Sequence, residues 1–229
     1  MSPTAKHATR RATRPIPPEL RSPIYLAVWD LAWAGHFYRV RPANSDPFLE
    51  RFGAGSLVAR RHGLTILWLT ALAGRFNELA SLRLSDIDGD VVTLQRSKRG
   101  AIHPIVVDAE LIQCTAVWHQ RLGIAAARSK NAQRMHVSPY MLPSSRGGRI
   151  NVNVFNRDVA GPLGAMWGLR LSSHCFRDTA CQEAMRLVKA DANLDVRAVQ
   201  ALMGHRSART TEIYLRKQES KQLCIPLFS

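Results

Sequence analysis

The sequence predicts an α+β domain, mostly α-helical, with one small antiparallel β-sheet. Three observations point there. Apolar residues recur at helical spacing in long stretches, as in Phe176, Ala180, Ala184, Leu187 and Val188. Two short runs, Val91-Val92-Thr93-Leu94 and Ile102 to Val107, flank Ser97-Lys98-Arg99-Gly100 and read as two strands joined by a turn. A hydrophobic share of 46% over 229 residues supplies a real core for one ordinary domain plus a tail, or for two small ones.

The elements follow in order. Met1 to Pro18 holds Lys6, Arg10, Arg11 and Arg14, several prolines and no acid, which describes a disordered basic arm. From Glu19 to Trp33 the residues Ile24, Leu26, Val28, Trp29 and Leu31 indicate a helix. His36 to Gly55 is broken by Pro42, Pro47, Gly53 and Gly55 and reads as irregular. Ser56 can cap a helix that runs to about Leu72, and a second helical piece carries Glu78, Leu79 and Leu82. After the two strands, Asp108 to Leu122 reads as helix, Arg128 to Arg149 as a polar connection and Val152 to Met166 as helix again. A helix through Phe176 to Val188 follows. The next, through Val196, Val199, Leu202 and Met203, stops at Gly204. The last starts near Ser207 to Thr210 and carries Tyr214.

The formal net charge of +15 makes a polyanion the expected partner, DNA first and RNA second. No apolar run is long enough to cross a bilayer, and the basic N-terminus lacks the apolar stretch of a signal peptide. A cytoplasmic, nucleoid-associated protein is therefore expected. Cys114, Cys175, Cys181 and Cys224 show neither CxxC nor zinc spacing and read as reduced thiols.

Basic residues recur in compact contexts: Gly74-Arg75-Phe76-Asn77-Glu78-Leu79, Ser97-Lys98-Arg99-Gly100, Ser173-His174-Cys175-Phe176-Arg177 and Leu202-Met203-Gly204-His205. Thr210-Thr211-Glu212-Ile213-Tyr214 comes last. This order of Arg, Lys, His-x-x-Arg, Gly-His and Tyr resembles the tyrosine recombinases, or phage integrases, from about Ser56 to Lys217. "LMGHRSARTTEIYLR" is the most specific stretch, and "TALAGRFNELASLRLSDID" and "YMLPSSRGGRI" resemble two further family segments. Each match alone is weak; five in one order are not.

The resemblance implies a catalytic domain that cuts and rejoins double-stranded DNA through a 3′-phosphotyrosyl link, in integration, excision or inversion of a DNA element. It implies Tyr214 as nucleophile, Arg75 and Arg177 gripping the non-bridging oxygens, and His174 as base. It further implies His205 as a donor to the phosphate and Lys98 as the acid for the departing 5′-oxygen. The residue types suit that chemistry. Guanidinium forks grip phosphate bidentately, and a phenol of ordinary pKa about 10 needs a neighbour to take its proton. The ester keeps the bond energy, so neither cofactor nor metal is expected. The chain carries no phosphate-binding loop of the GxxxxGK type and no carboxylate cluster suited to Mg²⁺. A homo-oligomer, a tetramer on DNA, is the implied assembly. Glu78 and Asp86 are expected to orient or cap the helix that follows Arg75.

The chain also departs from the family pattern. Gly74 directly precedes Arg75 where the family has Gly-x-Arg, and Asp178 follows Arg177 where His or Thr is common. The turn after Lys98 is short, which leaves Arg96 and Arg99 as competitors for its role. Only 74 residues precede Arg75. A complete N-terminal core-binding domain is therefore not expected, and 19–229 reads as the catalytic domain with a short tail. Two alternatives stand beside recombination: a non-catalytic DNA-binding regulator of recombinase descent, and relaxation of DNA in the manner of a type IB topoisomerase.

Overall fold

The computed structural model describes residues 15–95, 102–191 and 196–203. Helix α3 (Leu57–Ala71) is its axis. Leu64, Ile66, Leu67, Trp68 and Leu69 are all fully buried, so the second half of this helix is enclosed on every side rather than laid on a surface. Around it pack α1 (Pro18–Ala34), α5 (Ala109–Ala126) and α9 (Ser173–Ala190). Each buried leucine or tryptophan contributes on the order of 1.5–3 kcal/mol. The closest approach is between α1 and α3. A methyl group on Gly63 would stand 2.4 Å from the backbone nitrogen of Ala32, so only glycine fits that crossing.

Some polar groups in this core are bonded to one another. The Trp68 indole donates to Thr115 Oγ1 at 2.9 Å, and the hydroxyls of Tyr25 and Thr70 are 3.1 Å apart. Burial pushes the Tyr25 phenol up to about 12. Cys114, Cys175 and Cys181 are free thiols.

Among the described residues the sheet has three strands in the order β1 (Ile87–Asp88), β2 (Val91–Gln95) and β3 (Ile102–Val106), all antiparallel. The first is a two-residue strand that the sequence did not announce. Val92 and Leu94 of β2 point inward, while Thr93 and Gln95 are exposed. Pro104 pairs with Thr93 on the edge strand, where a missing N–H is tolerated.

Several expectations need correction. The segment read as irregular contains α2 (Asp46–Phe52), anchored by buried Phe48. The connection read as polar contains α6 (Lys130–His136), whose Ser129 side chain accepts from Ala132 N–H and which buries Ala132 and Met135. The stretch read as one helix from Val152 divides into α7 (Val152–Phe155), a π turn (Asn156–Ala160) and α8 (Gly161–Ala165). The basic arm also ends earlier than expected. Ile16 is fully buried and its N–H donates to Thr179 Oγ1 of α9 at 2.8 Å. Arg21 then pairs with Glu183 at 2.8 Å, so the chain enters α1 already fastened to α9.

No helix among the described residues is long and apolar enough to cross a membrane. Helix α10 (Val196–Met203) packs against α9 and β3.

Candidate active site

Arg75 sits in the corner between α3 and α4 (Phe76–Ser81). The corner is tight: Leu72 caps α3, Ala73 takes a positive φ of 44°, and Arg75 is extended as the residue that caps α4. A left-handed alanine is strained, and such strain gathers at working sites. Glu78, one turn into α4, clamps Arg75 twice. Its carboxylate accepts from the Arg75 backbone N–H at 2.8 Å and from the guanidinium at 2.9 Å. The Glu78 side chain is wholly buried, whereas that of Arg75 is 33% exposed. Glu78 thus acts as the sequence suggested. Asp86 instead accepts from the Arg83 N–H and closes the short 3-10 turn Leu84–Asp86.

Arg177 lies on the buried face of α9 at 7% exposure. Its Nη1 donates to the Ala73 carbonyl at 2.7 Å and its Nη2 to the Met203 carbonyl at 2.6 Å. Ala73 is two residues before Arg75, and Met203 is two before His205. One planar fork therefore joins three sequence segments. Charge-assisted bonds of this kind contribute about 1.5–3 kcal/mol each.

His174 stands exposed at the second position of α9, one turn before Arg177. The first turn of α9 is held from outside. Ser172, its capping residue, makes no side-chain cap, and the Ser173 N–H donates to Asn156 Oδ1 at 2.8 Å. Lys98, His205 and Tyr214 lie outside the described residues, as do Arg96 and Arg99. The structure thus brings Arg75, Arg177 and His174 onto neighbouring elements and sets the Met203 carbonyl, at the end of α10, against Arg177.

Beside α4 an open cleft of about 910 Å³ runs between β2 and the loop before α7. Glu78, Asn77, Arg83, Tyr140 and Arg149 are among its walls. The Arg149 guanidinium stands 5.4 Å from the centre of the Tyr140 ring, a cation–π contact that gives the side chain a fixed place. Sequence reasoning noted the segment around Arg149 but assigned that arginine no part, and it gave Asn156 none either. Neither carries a compositional signal; only packing reveals them. His119 has its Nε2 2.8 Å from the Met141 carbonyl, a structural role.

The sequence profile of the phage integrase family matches residues 52–221. Tyrosine recombinase XerD of Mycobacterium leprae is 30% identical over 167 residues, covering 70% of this chain and 49% of its own. Tyrosine recombinase XerC of Bifidobacterium longum (strain DJO10A) is 26% identical over 179 residues, covering 76% of this chain and 47% of its own. The chain spans about half the length of these relatives. Among solved structures, the XerH site-specific recombinase bound to difH substrate, in a pre-cleavage complex, superimposes with a TM-score of 0.61 at 14% identity. That match covers 91% of this chain and 52% of the other. A lambda integrase dimer bound to a COC′ core site gives 0.55 at 14% identity, with 91% and 51% covered. These likenesses establish the fold, a tyrosine-recombinase catalytic domain.

Proposed function

The chain belongs to the phage integrase family, and on that premise we propose that it is a site-specific recombinase acting on double-stranded DNA. The observation that carries the proposal is Arg177. A buried guanidinium that binds the Ala73 carbonyl, two residues before Arg75, and the Met203 carbonyl ties together three segments distant in sequence.

The reaction proposed follows from the residue types. Tyr214 Oη attacks phosphorus, and its proton passes to His174. The P–O5′ bond breaks and the 5′-oxygen takes a proton from Lys98, leaving a 3′-phosphotyrosyl ester and a free 5′-hydroxyl. Arg75 and Arg177 hold the non-bridging oxygens on which charge grows, and His205 donates to one of them. Fixed charges of this kind are often the largest single contribution to catalysis. A 5′-hydroxyl from another strand reverses the step, and the ester supplies the energy. Arg83 and Arg149 in the cleft beside α4 would take backbone phosphates of the flanking duplex. A tetramer on DNA, in the cytoplasm at the nucleoid, is the assembly and setting proposed.

The test is incubation with supercoiled plasmid and with nicked duplexes in a metal chelator, followed by a denaturing gel. A covalent protein–DNA adduct that Tyr214→Phe abolishes is the expected result. Tight binding with no adduct on any substrate would instead favour a DNA-binding regulator.

A further inference from the structure

We propose that Asn156 is a positioning residue for strand transfer, acting through the first turn of α9; the inference rests on the function proposed above. Asn156 opens the π turn, where the Gly161 N–H reaches back five residues to the Asn156 carbonyl. A methyl group on Gly161 would stand 3.0 Å from that oxygen, so glycine suits the wide turn. Turns of this type are rare and concentrate at functional sites. The turn delivers the Asn156 side chain across 17 residues of sequence to the Ser173 N–H at 2.8 Å.

That bond falls where it governs two candidate site residues together. Ser173 is buried, and its amide would otherwise lack a side-chain cap, since Ser172 provides none. His174 is the next residue, and Arg177 is one turn further along the same helix. The rotation of the first turn therefore sets where His174 points while Arg177 keeps its two carbonyls.

The chemistry of the cap is also informative. A carboxylate would stabilise a helix N-terminus more than an amide does. It would also place a negative charge beside a bound phosphodiester. The turn does contain a carboxylate, Asp158, but it is bonded to Arg157 at 2.6 Å and to Arg51 at 2.8 Å. The neutral amide is the group presented to α9.

The experiment compares cleavage rates at saturating nicked DNA, DNA affinities and melting temperatures for the wild type, Asn156→Ala, Asn156→Asp, His174→Ala and the double variant Asn156→Ala/His174→Ala. Asn156→Ala is expected to cleave about tenfold slower with DNA affinity within about twofold of wild type. The double variant is expected to be no slower than His174→Ala, because one residue acts through the other. Asn156→Asp keeps the cap, so it is expected to melt at or above the wild-type temperature and yet cleave more slowly. An Asn156→Asp protein that cleaves at the wild-type rate, or losses that simply add to that of His174→Ala, would reduce Asn156 to a structural cap and overturn the inference alone. A wild type that forms no adduct overturns it together with the function on which it rests.

Discussion

Arg75 and Arg177 are held by opposite kinds of partner. Arg75 is half-open to solvent and gripped by a buried carboxylate three residues away. Arg177 is buried and bonded to two neutral carbonyls 104 and 26 residues away. The first arrangement is local: the α3–α4 corner and Glu78 orient Arg75 whatever the rest of the chain does. The second is global: Arg177 is placed only when α9, the corner and α10 have all come together. The difference separates two tasks. Arg75 presents a charge that its own turn has set. Arg177 also assembles the site, and its removal should damage fold and chemistry at once.

Arg177→Ala is the largest expected effect. It leaves the Ala73 and Met203 carbonyls without their donor and should cost about 2–4 kcal/mol of stability, read by urea melts, along with strand transfer. Arg75→Ala comes next. It should cut cleavage about 100-fold or more at a smaller stability cost, because Glu78 keeps the backbone N–H of residue 75 as a donor. If the two arginines cost the same in stability, the contrast between them fails. Glu78→Gln sharpens the comparison further. It can still accept from the Arg75 N–H but withdraws the charge, so cleavage should fall about tenfold while the fold loses about 1 kcal/mol.

The smallest effect lies on α3, away from both arginines. His62 is buried against Phe52, with ring centroids 4.4 Å apart. Burial, and then the neighbouring Arg61, hold its pKa well below the ordinary imidazole value, while Asp158 pulls weakly the other way. Unfolding restores a pKa of about 6.5. Above that pH neither state is protonated and His62 costs nothing. As the pH falls below it, the unfolded chain takes up the proton first and stability declines. Between pH 7.5 and 5 the wild type should therefore lose about 1–2 kcal/mol that His62→Leu does not. Equal losses would show that His62 is not the acid-sensitive group.

The same contrast explains what the sequence could reveal. Glu78 stands three residues after Arg75, so its place as a cap of the helix after Arg75 was legible, whereas its ion pair with the guanidinium was not. Also legible were α3, with its Ser56 cap and the apolar run from Leu64 to Leu69, and the alternation of β2. Arg177's partners are backbone carbonyls, which every residue has, and no spacing points to them. The π turn leaves no compositional mark, because a hydrogen bond to the fifth residue needs no special side chain. Helices α2 and α6 have seven residues each, too few for a periodicity to stand out among prolines and polar residues. Ile16 read as part of an arm because prolines surround it, and only α9 shows why it is buried.

The most direct test of the central claim is to find the atom that carries the DNA. The protein is incubated with a nicked duplex in chelator, denatured and digested with protease and nuclease, and the modified peptide is sequenced by mass spectrometry. The expected result is a nucleotide on Tyr214, at the 3′-phosphate end of the cut strand. A nucleotide on any other side chain, or cleaved DNA with no protein attached, would contradict it.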